Sequence, residues 1–280
     1  MHLAHFTYGK GCVRIMRVKR DTPLHEVREL ETQVMMDGDF SASFLSSDNS
    51  KVIATDTVKN VVNIVGHDNP ALDTEDFIAT IADYFFAHYA QVDKVSITAM
   101  ETKWARLNIN GTPHDHAFVK DGNGRNRVTL IATRTTKQIA SGVENFTFLK
   151  TTESGWTGYW MDQATTLKET TDRIFSTAMD ASWAWSAAPA NYPVANENIL
   201  AAMMRVFAST YSPSVQNSLF LMGSAALEAA PEISSITLAC PNKHYLPINM
   251  APFNRDNPNI TFTPTDEPHG QIECTVARDG

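Results

Sequence analysis

The chain has 280 residues, 43% of them hydrophobic, and a formal net charge of −8. That length can bury a sizeable core, in one large domain or in two of about 140 residues. The acidic balance argues against a nucleic-acid surface, and no run of about 18 apolar residues predicts a transmembrane helix.

Residues 10–20, KGCVRIMRVKR, alternate loosely and predict a strand, with a second extended segment over about 26–36. Asp48-Asn49-Ser50 is a turn signal before a strand at Lys51–Ala54. The run ATDTVKN, Ala54–Asn60, then meets a hydroxyl, a carboxylate and a lysine. Thr55 or Asp56 can cap a short helix starting near Val58 and carrying Val58, Val61, Val62 and Val65. The same junction can also turn a hydroxyl and free N–H groups toward a ligand. The clearest helix covers 74–91, where Phe77, Ile78, Ile81, Phe85 and Tyr89 keep a helical period and acidic residues fill the first turn. Strands follow at 94–109 and 125–135, with the turn sequence DGNG at 121–124.

The second half repeats this order. It has an extended segment at 138–150 and a capping-box pattern, Thr166-Leu-Lys-Glu169, that predicts a helix start. A helix is predicted over 197–209, with Ile199, Leu200, Met203, Val206 and Phe207 on one face. Strand patterns occupy 215–229, 233–240 and 271–278. Each half reads strands, helices, strands. The prediction is an α+β fold with an internal structural duplication, halves 1–137 and 138–280. Antiparallel strands with helices on one face leave sheet edges open, and closing the sheet with further copies into a barrel would remove them.

Several residue groups can carry chemistry, and each also has an ordinary structural role. Lys10 lies between Gly9 and Gly11, where a solvated surface charge is the default. Trp156, Tyr159 and Trp160 surround a glycine; they suit a core as well as a ligand platform. Arg173 can pair with Asp172 or Glu169, or present a planar fork to an anionic or carbonyl partner. Gln216, in an apolar strand entry, needs partners for its carbonyl and its amide, from backbone or from a heterocycle edge. Asn242, Lys243 and His244 follow a strand ending at Cys240, and His is the side chain best suited to proton transfer near neutral pH. His114 and His116 would share one strand face, but no third ligand is indicated, so no metal site is predicted.

Cys12, Cys240 and Cys274 are odd in number and far apart, as for free thiols in a reducing compartment. There is no C-x-x-C, no G-x-G-x-x-G and no Walker A pattern. The start MHLAHFTYGKG lacks a signal-peptide pattern, and the ending TVARDG is not a peroxisomal address, so a cytoplasmic location is expected.

YGKGCVRI, DNSKVIATDTVKN, TTLKETTDRI, SVQNSLF and PNKHY occur together in this order. With them the chain resembles, over essentially its whole length, the urate oxidase (uricase) family of the tunnelling-fold superfamily. The resemblance implies tandem tunnelling-fold (T-fold) repeats, an antiparallel sheet with helices on one face, and oligomerisation into a β-barrel tunnel. It implies a homotetramer with sites at subunit interfaces, no cofactor, and oxidation of urate by dioxygen and water to 5-hydroxyisourate and hydrogen peroxide. By motif position, Arg173 and Gln216 would grip the purine edge, helped by the N–H of Val215. The aromatic platform would be Trp156. The Asp56 N–H and Thr55 hydroxyl would come from a neighbouring subunit. Lys10, Thr55 and His244 would form a proton relay, and Asn242 with Thr55 would hold dioxygen.

The chain departs from the family pattern at Trp156, where many relatives carry Phe, and in VVNIVGHDN, which reads as packing variation. Two other functions compete. One is a metal-dependent enzyme of the same superfamily acting on a pterin or purine-like ring, with His114, His116 and His244 as ligands. The other is a non-catalytic purine-binding protein, in which Trp156 keeps binding but misplaces the ring.

Overall fold

The computed structural model describes residues 1–279. The chain forms two compact units, Met1–Gly142 and Val143–Gly280. In the first, β1 (Tyr8–Lys19) and β2 (Glu26–Gly38) make a hairpin, followed by α1 (Ser41–Leu45), α2 (Thr55–Asp68) and α3 (Thr74–His88). Then come β3 (Val92–Thr102), the separate ribbon β4 (Trp104–Ile109) and β5 (Thr112–Lys120), and β6 (Arg125–Thr133). The strands lie in the order β1-β2-β3-β6, all antiparallel. β7 (Lys137–Lys150) carries the chain out of this unit. The second unit adds β8 (Phe175–Trp185), α4 (Tyr192–Ser209), α5 (Val215–Ala229), β9 (Ile233–Pro247) and β10 (Phe262–Ala277), with β9 antiparallel to both β8 and β10. This is the α+β arrangement that the sequence predicts.

Side-chain periodicity explains where each core sits. On β2, Leu30, Thr32, Val34 and Met36 are buried at every second position, as a strand with one covered face requires. Against them lie Val58, Val61, Val62 and Val65 of α2 and Phe77, Ile78, Ile81 and Phe85 of α3. The opposite face is open, and Met16 and Ile131 lie on it exposed. In the second unit, Ile199, Met203 and Phe207 of α4 and Leu219, Met222 and Ala226 of α5 cover Met179, Trp183, Ile236 and Leu238.

Several predicted elements need correction. Lys51–Ala54 is turn and coil, not strand, and 94–109 is two strands broken at Lys103. No helix opens at Thr166: its Glu169 carboxylate instead accepts from the Gly158 N–H at 2.6 Å. Residues 215–229 are a helix. Their buried positions, 215, 218, 219, 222, 223, 226 and 227, recur at helical spacing. The strand expectation missed this spacing because Phe220, Leu221 and Ala225 put apolar residues on the less buried side as well. β8 was not predicted at all.

A strand-borne or strand-flanking cation reaches the C-terminal end of each long helix, where carbonyls lack intrahelical partners. Arg17 donates to Asn69 O after α2, and Arg134 to Phe86 O, Tyr89 O and Ala90 O after α3. Lys150 serves Phe207 O and Thr210 O at α4, and Arg278 serves Leu227 O and Ala230 O at α5.

Cys240 is buried in the second core, and that burial pushes its thiol up to about 12. Cys12 is exposed. A disulfide reagent at pH ~8 is therefore expected to modify Cys12 readily and Cys240 only after denaturation, because the thiolate is the reactive form. Peptide mapping of the labelled protein reads this directly.

Candidate active site

In the first unit, Lys10 pairs with Val34 and Tyr8 with Met36. Cross-strand partners share a face, and Val34 and Met36 are fully buried, so Tyr8 and Lys10 belong to the helix-bearing face. Gly9 between them is a close approach: a Cβ there would lie 1.8 Å from Val34 O. After Lys10 the register shifts, with Cys12 at φ 54, and Val13 returns to the buried face opposite Thr32. Tyr8 Oη accepts from the Ile53 N–H at 2.9 Å, and its ring meets Phe40 edge-on at 4.8 Å. β1 thus fastens the segment that leads into α2.

The capping role expected for Thr55 or Asp56 is not what the structure shows. The N-cap is Ala54, without a side-chain cap, and Thr55 and Asp56 are the first two helical residues. Both are exposed. The Asp56 carboxylate is taken up by the side chains of Lys59 and Asn60. The hydrogen bond from Lys59 holds the Asp56 carboxyl below its usual range, and the Lys10 charge adds to this. The helix therefore begins with a free-standing hydroxyl and uncapped N–H groups, near a lysine on β1.

In the second unit, the stretch before β8 is laced by backbone bonds. Trp156 N donates to Thr170 O at 2.7 Å, and Thr170 N to Trp156 O at 3.1 Å. Arg173 N donates to Ser154 O at 2.8 Å, and Gly155 N to Ser212 O at 2.9 Å. A Cβ on Gly155 would lie 2.9 Å from the Thr170 carbonyl oxygen and 2.2 Å from Tyr211 Oη, so a glycine allows this close backbone approach. Trp156, Arg173 and the entry to α5 are held in one local network.

The Arg173 side chain is half-buried, and its Nε is buried without a hydrogen-bond partner. Among the described residues no carboxylate forms an ion pair with it. The pairing with Asp172 or Glu169 does not form: Asp172 accepts from Thr152 Oγ1 and Glu169 from Gly158. Burial pulls the guanidinium below its ordinary range, and Tyr211 partly opposes this.

Gln216 does not enter a strand. It is the second residue of α5 and is exposed, next to buried Val215. The Ser214 cap takes the Asn217 N–H and not those of Val215 or Gln216. Asn242 and His244 do not follow a strand but lie inside β9. Asn242 sits between Thr177 of β8 and Gly270 of β10, and His244 is opposite Thr265. Being two apart, they point to one side of the strand, and both are half-buried. Lys243, between them, pairs with Asp266 at 3.3 Å.

His114 and His116 do share a face of β5, with ring centroids 4.8 Å apart. Among the described residues no group of three or more His, Cys, Asp or Glu is arranged to hold a metal ion. Tyr8 and Tyr211 escaped the sequence reading because their contacts span 45 and 40 residues, with no local signal.

A family model described as uricase matches residues 6–131 and 139–273. The chain belongs to the uricase family. The uricase of Arthrobacter globiformis is 35% identical over 273 residues, spanning 98% of this chain and 89% of that one. The uricase of Dictyostelium discoideum is 34% identical over 275 residues, spanning 97% and 96%. The crystal structure of the Arthrobacter uricase matches at a TM-score of 0.94 and 35% identity, covering 100% of this chain and 96% of that one. Urate oxidase from Bacillus sp. TB-90, at 23% identity and a TM-score of 0.86, shares the fold. No helix of the described residues is long and apolar enough to cross a membrane.

Proposed function

We propose that this uricase-family chain oxidises urate with dioxygen and water to 5-hydroxyisourate and hydrogen peroxide. The observation that carries the reading is Arg173: a guanidinium partly withdrawn from water, with Nε unpartnered and, among the described residues, no carboxylate paired to it. Such a group is costly unless a ligand completes it. The carbonyl edge of a urate anion fits that fork, with the Gln216 amide and the Val215 N–H as further donors. The purine plane lies on Trp156.

The Thr55 hydroxyl and Asp56 N–H hold the other end of the ring. Asn242 and Thr55 hold dioxygen over the ring, and Lys10, Thr55 and His244 pass protons. Two electrons leave the urate ring and reduce dioxygen to peroxide, while water supplies the new hydroxyl. No cofactor is required, because the purine anion is itself the reductant. Chelator-treated protein given urate in air is expected to consume urate and dioxygen in equal amounts and release as much peroxide. Binding of urate without oxygen uptake would overturn the reading.

The two halves, divided near residue 137, act as tandem repeats in a homotetramer with sites between copies, located in the cytoplasm. Lys10, Thr55 and Asp56 come from one copy; Trp156, Arg173, Val215, Gln216, Asn242 and His244 come from the next. The exposure of Thr55 and Asp56 at an uncapped helix start supports this, and exposed Cys12 as a free thiol supports the location. Thr55→Ala and Arg173→Ala chains, each inactive alone, should regain activity when unfolded and refolded together, through hybrid sites that carry neither change. No recovery in a confirmed hetero-oligomer would place all the residues in one copy.

A further inference from the structure

Tyr159 lies almost parallel to Trp156, with ring centroids 5.4 Å apart and planes inclined by 10°. That separation between near-parallel rings describes an offset stack. One face of the indole is therefore partly covered from within the protein, and the ring as a whole is only half-buried. The arrangement is built, not incidental. Gly158 takes φ +70, a left-handed turn that folds Tyr159 back toward Trp156. The Gly158 N–H is held by the Glu169 carboxylate, and Tyr159 Oη donates to Leu167 O at 2.7 Å. Trp156 itself is tied on both sides to Thr170. The turn 156–159 is thus anchored at three points to 167–170. Trp160, the next residue, is 87% exposed and shares none of this.

We infer that Tyr159 is a positioning residue that presets the Trp156 indole for a planar heterocycle. This rests on the reading of Trp156 as the purine platform. An indole that is free to rotate about its side-chain torsions must be ordered each time a ligand binds. A ring stacked behind it removes that cost before binding. The effect belongs to binding and not to the chemical step, so it should appear in KM and leave kcat nearly unchanged.

The test compares Tyr159→Leu, Tyr159→Phe, Gly158→Ala and Trp156→Ala as full-length proteins in steady-state urate oxidation. Tyr159→Leu should raise KM by about fivefold, within the range of an aromatic pair, with kcat retained. Tyr159→Phe keeps the ring and loses only the bond to Leu167 O, while the Gly158 and Trp156 anchors still hold the stack, so KM should stay within about twofold of the wild type. Gly158→Ala offers an independent route if Tyr159→Leu does not fold. The added Cβ has nothing within 4 Å, so only the left-handed turn is strained, and KM should rise in the same direction. If Trp156→Ala raises KM but Tyr159→Leu and Gly158→Ala do not, the platform stands and the positioning role falls. If Tyr159→Phe is as impaired as Tyr159→Leu, the stacked ring is not the cause and the inference is wrong. If Trp156→Ala itself leaves KM unchanged, the platform reading fails and takes this one with it.

Discussion

Arg173→Ala is expected to lower kcat/KM for urate by about 10²- to 10⁴-fold, while the thermal midpoint stays put or rises slightly. Two charge-assisted hydrogen bonds to the urate edge, at roughly 1.5–3 kcal/mol each, set that range. The stability side follows from the free protein. The guanidinium is half-buried, its Nε has no partner, and no ion pair among the described residues is lost when it goes. Removing it relieves an unmet desolvation cost. Arg173→Lys keeps a charge but not the planar fork, so it should recover only part of the activity. Steady-state kinetics beside thermal unfolding decide the matter. A variant within threefold of the wild type would end the role assigned to Arg173, and a parallel collapse of stability would make it structural.

Lys10→Ala and Thr55→Ala should each reduce kcat by about 10²- to 10⁴-fold, the usual span for a lost proton-transfer group. Affinity for a non-reacting purine analogue should change far less. Equal losses in turnover and binding would remove both residues from the relay. Lys10→Ala has a second signature. The Asp56 carboxyl is depressed chiefly by Lys59, with the Lys10 charge adding to it. Without Lys10 the Asp56 titration must move up toward the ordinary carboxylate range, because a cation that favours the ionised form is gone. A carboxyl-detected NMR titration in acid reads this, and an unmoved Asp56 would separate Lys10 from the start of α2.

Much of this was legible in the sequence, and particular residues show why. The valines of α2 and the aromatics of α3 are buried where a 3.6-residue period puts them, since each helix needs only its own spacing to reveal a covered face. The order strands, helices, strands was readable twice over for the same reason. Two failures show what local pattern leaves out. At Val215–Ala229 the buried positions keep a helical period, but exposed Phe220 and partly exposed Leu221 and Ala225 blur it, and packing against β9 and β10 makes the helix plain. At 166–174 the capping-box letters are present, but Glu169 goes to Gly158, eleven residues back in the chain.

The candidate site divides along the same line. Residue types and their order identify the uricase family and name Lys10, Thr55, Arg173, Gln216 and His244, because motif identity is a local property of the chain. What those residues face was decided only by tertiary structure. Thr55 and Asp56 cap nothing and open α2; Gln216 opens a helix; Asn242 and His244 lie inside a strand; Arg173 is left without a carboxylate. Tyr8 and Tyr159 gain their positions from hydrogen bonds to backbone groups 45 and 8 residues away. Hydrogen-bond satisfaction is settled among groups that folding brings together, and a residue's type does not name which of them becomes its partner.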